Sequence, residues 1–331
     1  MKPARLIVSV VVAIVLVAAT SWSEVTLTKV AHAGWKNCYR VANGKIEAIV
    51  TGDVGPRIIS FGFVGGPNEF HEFPDQVGKT GGDKWLPFGG HRLWHAPEAM
   101  PRSYAPDNDP IEVRREGDLV RCIQPIEPST GIQKEMTLAM DASGARLRVL
   151  HRLTNKSVWP VRLAPWALTM METGGFAILP LPSTAPDGQL LPNGRVVLWP
   201  YSDAADAKRL VWGTKYIIFR QDIEATSPNK VGLMATDGWA AYLNRDHLFV
   251  KTFKFDPKGE YPDLGCSLES YNAATFLEFE TLAPLTTLLP GETVEHVETW
   301  HLLDGVKMKP DPAAVDKTIV PLVKPLLATG P

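Results

Sequence analysis

Arg146-Leu147-Arg148-Val149-Leu150-His151-Arg152-Leu153-Thr154-Asn155 is the stretch that decides the fold. Leu147, Val149, His151 and Leu153 fall on one phase of a two-residue period and Arg146, Arg148 and Arg152 on the other, as in a strand with one wet face. The same period returns upstream, where Ile59, Phe61 and Phe63 alternate with Ser60 and Gly62, and downstream, where Leu277 and Phe279 alternate with Glu278 and Glu280. Between such runs lie 27 Gly and 28 Pro, more punctuation than a helical bundle tolerates and what many short strands joined by turns require. Helical periodicity is nearly absent before the tail, where Asp311-Pro312 predicts the cap of a short helix that Pro321 would stop. The chain therefore reads as all-β, an antiparallel sandwich or barrel with a short C-terminal helix. No composition break and no fixed-period repeat interrupts residues 35 to 305, so one large β domain over 23–305, followed by a partly helical tail over 306–331, is the simplest organisation.

The 34 basic and 36 acidic side chains of the 331 residues leave a formal charge of −2, with no basic run. A groove that tracks a phosphate backbone needs a surplus of Lys and Arg, so nucleic acid is excluded as the expected partner. An apolar content of 45% against 21% charged suits a folded chain with ample core. At the N-terminus, Lys2 and Arg5 precede an apolar run from Leu6 to Ala19, then Thr20, Ser21 and Ser23. That run falls short of the roughly 20 residues of a spanning helix and reads as a secretory leader over residues 1–22. Export to a periplasm, with no membrane attachment after cleavage, is the expectation. The three cysteines, Cys38, Cys122 and Cys266, allow at most one internal bridge and have neither CxxC nor metal-ligand spacing; a buried free thiol is expected at Cys266.

Two blocks carry the chemistry. The first is Gly89-Gly90-His91-Arg92-Leu93-Trp94-His95-Ala96-Pro97-Glu98, continuing through Tyr104 to Asp107-Asn108-Asp109. Indole rings beside Arg, Asn, Asp and His are what a sugar site needs, because rings stack on the apolar face of a pyranose while the polar groups exchange hydrogen bonds with its hydroxyls. Zinc on His91 and His95 is disfavoured, since on a strand their spacing holds them more than about 12 Å apart. Asp107, Asn108 and Asp109 offer hard oxygen ligands, but such a run more often forms turns. The second block is Cys266-Ser267-Leu268-Glu269-Ser270-Tyr271-Asn272, followed by Glu278 and Glu280 and by Leu289-Pro290-Gly291-Glu292 with His296 and Trp300. A carboxylate here that lines a cleft can serve as a general base, its pKa raised by burial or a like-charged neighbour.

The Pro290-Gly291-Glu292 turn with His296 and Trp300 resembles the closing strands of the galactose mutarotase (aldose 1-epimerase) superfamily. Cys266-Ser267-Leu268-Glu269-Ser270 is similar to the segment that carries its general-base glutamate, and Leu153-Thr154-Asn155-Lys156-Ser157 to its strand ending in a Thr-Asn turn. The Gly-Gly-His-Arg-Leu-Trp-His-Ala-Pro-Glu block resembles an often secreted bacterial branch of these proteins. The resemblance implies an antiparallel β-supersandwich, a sugar ligand, Glu269 as base and Arg92, in kind, as a substrate-binding arginine. The residues themselves require no metal or cofactor and add Trp94, Trp166, Asn108 and Tyr271 as expected substrate contacts. One departure is plain. Where the superfamily has its general-acid histidine, this chain reads Leu163-Ala164-Pro165-Trp166-Ala167-Leu168-Thr169. An epimerase would have to recruit His91 or His95 as its acid, facing Glu269 across one hollow. The alternatives are a non-catalytic carbohydrate-binding module, an accessory protein of the cell envelope, or a hydrolase or lyase on the same sandwich.

Overall fold

The computed structural model describes residues 24–182, 190–328 and 330; the expected leader over 1–22 lies outside them. Along the chain the strands are β1 (Thr26–His32), β2 (Trp35–Ala42), β3 (Ile46–Thr51), β4 (Arg57–Phe63), β5 (His91–Ala96), β6 (Glu112–Glu116), β7 (Leu119–Ile123), β8 (Ile132–Met140), β9 (Arg146–Asn155), β10 (Val161–Met171) and β11 (Phe176–Pro180). They continue as β12 (Val196–Leu198), β13 (Leu210–Trp212), β14 (Tyr216–Arg220), β15 (Asn229–Leu233), β16 (Trp239–Asn244), β17 (His247–Phe253), β18 (Leu268–Asn272), β19 (Leu277–Leu282), β20 (Thr286–Leu288) and β21 (Thr293–Leu303). They form two antiparallel sheets. The first runs β1-β2-β3-β4-β5-β10-β19-β18-β15-β12 with β20 beside β10; the second runs β13-β14-β11-β16-β17-β21-β9-β8-β7-β6.

The alternation read in β9 is realised: Leu147, Val149, His151 and Leu153 are buried between the sheets, while Arg146, Arg148 and Arg152 turn outward. From the first sheet Phe61 and, from the β4–β5 connection, Phe70 meet Phe249 and Trp300 of the second, with ring centroids 5.5 to 5.9 Å apart. These large rings fill the middle of the sandwich.

Asp311 caps the tail as expected, its side chain accepting from Ala313 N at 3.0 Å. Pro321 does not stop the helix. It sits in the first turn of a new one, α2 (Val320–Leu327), after α1 (Val315–Thr318), because a first-turn proline gives up an N–H that has no intrahelical partner anyway. Val315, Ile319 and Val323 pack on Ile178, Ile218 and Val250, so the tail covers the outer face of the second sheet. The outer face of the first sheet carries the site. All three cysteines are free and buried.

Candidate functional site

Ladder register places side chains in rows across the outer face of the first sheet. One row runs Trp94, Trp166, Leu282, and the next Arg92, Leu168, Glu280, Glu269, Gly232. A third runs Met170, Glu278, Tyr271, Lys230. Gly232 ends the second row without a side chain, and a Cβ there would lie 3.0 Å from Trp199, so the bare backbone is what lets that indole lie down on the sheet. Loops bring in Trp85, Glu98, Tyr104, Tyr201 and Phe276. The result is a cleft of about 390 Å³ in which eight of sixteen lining residues are aromatic. A larger groove of about 630 Å³ over Lys254, Asp256, Lys258 and His296 contains one such ring, Phe255, and does not gather rings and opposed charges in this way.

Each cation of the cleft is held between rings and carboxylates. Arg92 lies 4.6 Å from the Trp94 ring centroid and 5.4 Å from that of Trp85, and its Nη2 donates to Glu278 Oε1 at 2.7 Å. Lys230 Nζ lies 4.5 Å from the Trp199 ring and 4.9 Å from the Trp166 ring. Beneath, it pairs with Glu269 Oε2 at 2.7 Å and donates to Glu280 Oε2 at 3.2 Å, to which Trp166 Nε1 also donates at 2.8 Å. Burial pushes the Glu269 carboxyl well above its ordinary range, the Lys230 ammonium opposes it, and the neighbouring Glu280 adds to it; burial raises Glu280 as well. Burial alone would lower the Lys230 ammonium, but the two carboxylates outweigh it and hold it firmly charged.

No protein-family profile matches the sequence, and no curated protein matches it. Solved structures do. A candidate aldose 1-epimerase from Klebsiella pneumoniae superposes with a TM-score of 0.56 at 13% identity, over 89% of this chain and 86% of its own. A galactose mutarotase-like protein from Lactobacillus casei gives 0.51 at 11%, over 81% and 100%. The Slr1438 protein from Synechocystis gives 0.53 at 9%, over 81% and 96%. The chain has the galactose mutarotase-like fold.

Within this galactose mutarotase-like sandwich, four expected substrate contacts, Arg92, Trp94, Trp166 and Tyr271, line the cleft together. Asn108 does not. Its amide is buried and donates to the Lys84 carbonyl at 2.7 Å, while Asp107 accepts from Arg57 Nη2 at 2.8 Å, so both tie loops together away from the cleft. Glu269 lies on the expected face but fully buried, under Lys230. Neither imidazole faces it. The block around His91 is a strand, and alternation that aims Arg92 and Trp94 at the cleft aims His91 and His95 into the sandwich. His95 ends 3.5 Å from Glu127, which Lys134 contacts at 2.5 Å. Against the upward push of burial, Lys134 and His95 hold Glu127 down at about 2.

His91 joins a seam of polar groups between the sheets. His151 Nδ1 must donate to the His296 carbonyl, 3.1 Å away, because a carbonyl only accepts. Its bare Nε2 then accepts from His91 Nε2–H at 2.7 Å, and His91 Nδ1 accepts from the Thr169 hydroxyl at 2.8 Å. On the other branch Glu298 accepts from Lys251, Thr281 and Trp300 at 2.5 to 2.8 Å, and Thr281 accepts from His296 Nε2–H at 2.6 Å. Burial lowers all three imidazoles, His151 to about 4 and His296 to about 3. His91, His151 and Glu298 bring ligand atoms within 4.8 Å of one another. The donor set does not fit a metal: the two ring nitrogens share a proton, and Lys251 already occupies the cation position on Glu298.

Sequence reasoning missed Lys230, Trp199 and Tyr201. A lone lysine in an apolar strand carries no local signal, whereas Trp199-Pro200-Tyr201, an aromatic pair around a proline, was a signal of the kind the first block displayed.

Proposed function

We propose that this chain binds a small saccharide of one or two rings in the cleft of the first sheet, as an exported protein of the periplasm. The observation that carries this is the interleaving of eight aromatic rings with Arg92, Lys230 and Glu278 in one concave site. Flat apolar plates with hydrogen-bonding groups at their edges match the alternating C–H faces and hydroxyl rims of a pyranose. A volume of about 390 Å³ lies at the small end of ligand pockets and suits a short saccharide rather than a polymer. The leader-like N-terminus supports export, and the mutarotase-like fold agrees with a carbohydrate role.

Binding is favoured over epimerisation by the geometry of the titratable groups. Ring opening needs a base and an acid at the two oxygens of the anomeric centre. Glu269 and Glu280 are sealed beneath Lys230, and His91 and His95 project to the other side of the sheet. Trp85, Trp94, Trp166 and Trp199 all line the cleft, so intrinsic fluorescence titrated with a panel of mono- and disaccharides reads occupancy directly. Saturable quenching by at least one sugar, weakened about tenfold or more by Trp94→Ala, is the expected result. A flat response across the panel, with no calorimetric heat, would remove the proposal. Polarimetry on freshly dissolved α-glucose and α-galactose separates the two readings: binding alone leaves the rate of equilibration at that of buffer.

A further inference from the structure

We infer that the cleft selects a saccharide carrying a protonated amine, a hexosamine, over neutral and acidic sugars. This rests on the saccharide reading and refines it. The two cations of the cleft are poorly placed for an anion: Arg92 gives Nη2 to Glu278 Oε1 at 2.7 Å while its Nε and Nη1, without partners among the described residues, are sealed from solvent, and Lys230 pairs with Glu269 and Glu280 at 2.7 and 3.2 Å. Around them stand four carboxyl groups, Glu98, Glu269, Glu278 and Glu280, so the site is not electropositive.

One of these carboxylates is only half used. Glu278 gives Oε1 to Arg92, while Oε2 has no hydrogen-bond partner among the described residues and belongs to a side chain that lines the cleft. Glu278 stands directly across the β18–β19 ladder from Tyr271. The Tyr271 ring is 5.9 Å from Phe276 and 6.2 Å from Tyr201, so an aromatic wall adjoins the unclaimed oxygen. Among the described residues no Arg or Lys lies over those three rings, as one does over Trp85, Trp94, Trp166 and Trp199; Phe276 is stacked on His71 at 6.2 Å, which leaves the tyrosine rings. A carboxylate oxygen beside tyrosine rings that carry no cation attracts an ammonium twice, through charge and through the ring quadrupole. A carboxylate brought to the same place would meet Glu278 at close range.

The test is calorimetric titration of the mature chain with glucosamine, N-acetylglucosamine, glucose and glucuronate at pH 7 and low salt. Acetylation removes the charge and keeps the ring, so it isolates the amine. Glucosamine is expected to bind about three- to tenfold tighter than glucose or N-acetylglucosamine, with glucuronate weakest, and the margin should shrink at high salt. Glu278→Gln should erase the margin between glucosamine and glucose, whatever it does to the affinity for both. The ligand series decides the matter without that variant if it folds poorly. Glucosamine no tighter than glucose, or glucuronate the tightest, overturns this inference alone; no affinity for any of the four overturns the saccharide reading with it.

Discussion

Lys230 is the residue around which the floor of the cleft is organised. Its ammonium is nearly free of solvent yet charged, because removing it from water is offset by two carboxylates within 3.2 Å and two indole faces within 4.9 Å. Take the ammonium away and Glu269 and Glu280, opposite one another in the ladder, are left as adjacent buried acids. Lys230→Met should therefore destabilise the fold by about 3–5 kcal/mol in urea unfolding, the usual scale for breaking a buried pair. Adding Glu269→Gln and Glu280→Gln should recover most of that loss, since amides tolerate burial that carboxylates do not. An unchanged midpoint in the single variant would mean the triad is not formed. Trp166 belongs to the same unit: it occupies the stretch where the superfamily resemblance called for a histidine, and it spends its only donor on Glu280.

At the scale of the strand, β5 shows what a sequence can and cannot reveal. The two-residue period in β9 and β19 was legible because one side of each strand is apolar, so the pattern names both the element and its buried face. In β5 both faces are covered and each mixes polar with apolar residues, His91, Leu93 and His95 on one and Arg92, Trp94 and Ala96 on the other, so no period marks a buried side. Grouping His91, His95 and Arg92 into one site followed from that. A strand sends them to opposite sides. The partner of Glu269 was equally hidden, because Lys230 reaches it only through the pairing of β15 with β18, a register that no local pattern states. The two glycines have their own physical reason. Gly90 has φ of +70°, and a Cβ there would lie 2.4 Å from the Ile58 carbonyl oxygen; at Gly89 the corresponding approach to the His71 carbonyl is 2.1 Å. Gly90→Ala should thus cost more than about 2 kcal/mol and displace the strand that carries Arg92 and Trp94. The expected signature is a lowered thermal midpoint together with weakened ligand quenching of the cleft tryptophans. A variant with wild-type stability would show that β4 and β5 are not so closely apposed.

For the whole molecule, the polar seam between the sheets and the carboxyl pair under the cleft pull the pH dependence of stability in opposite directions. His151 and His296, with folded values of about 4 and 3, start from an ordinary value of 6.5. Below that value the unfolded chain takes up protons that the native interior refuses, so acidification favours unfolding, and the loss is complete only near the folded values. His91 acts in the same sense. Glu269 and Glu280 do the reverse: raised in the fold, they keep protons that the unfolded chain releases above about 4.5, so their contribution is present in acid and declines as pH rises through their folded values. His95 and His301 are lowered as well, and Glu127 and Glu172 are held at about 2, so the groups that lose stability in acid outnumber the two raised carboxyls and stability falls on acidification from pH 6.5 toward 4. The separable part is His151. His151→Gln can still donate to the His296 carbonyl and accept from His91, but it no longer titrates. The difference in unfolding free energy between wild type and this variant should therefore shift by about 3 kcal/mol in the variant's favour between pH 7 and pH 4. Urea unfolding followed at several pH values in that window measures it. A difference independent of pH would mean that His151 takes up its proton as readily in the folded protein as in the unfolded chain, and with it the tautomer chain from Thr169 through His91 would have to be drawn differently.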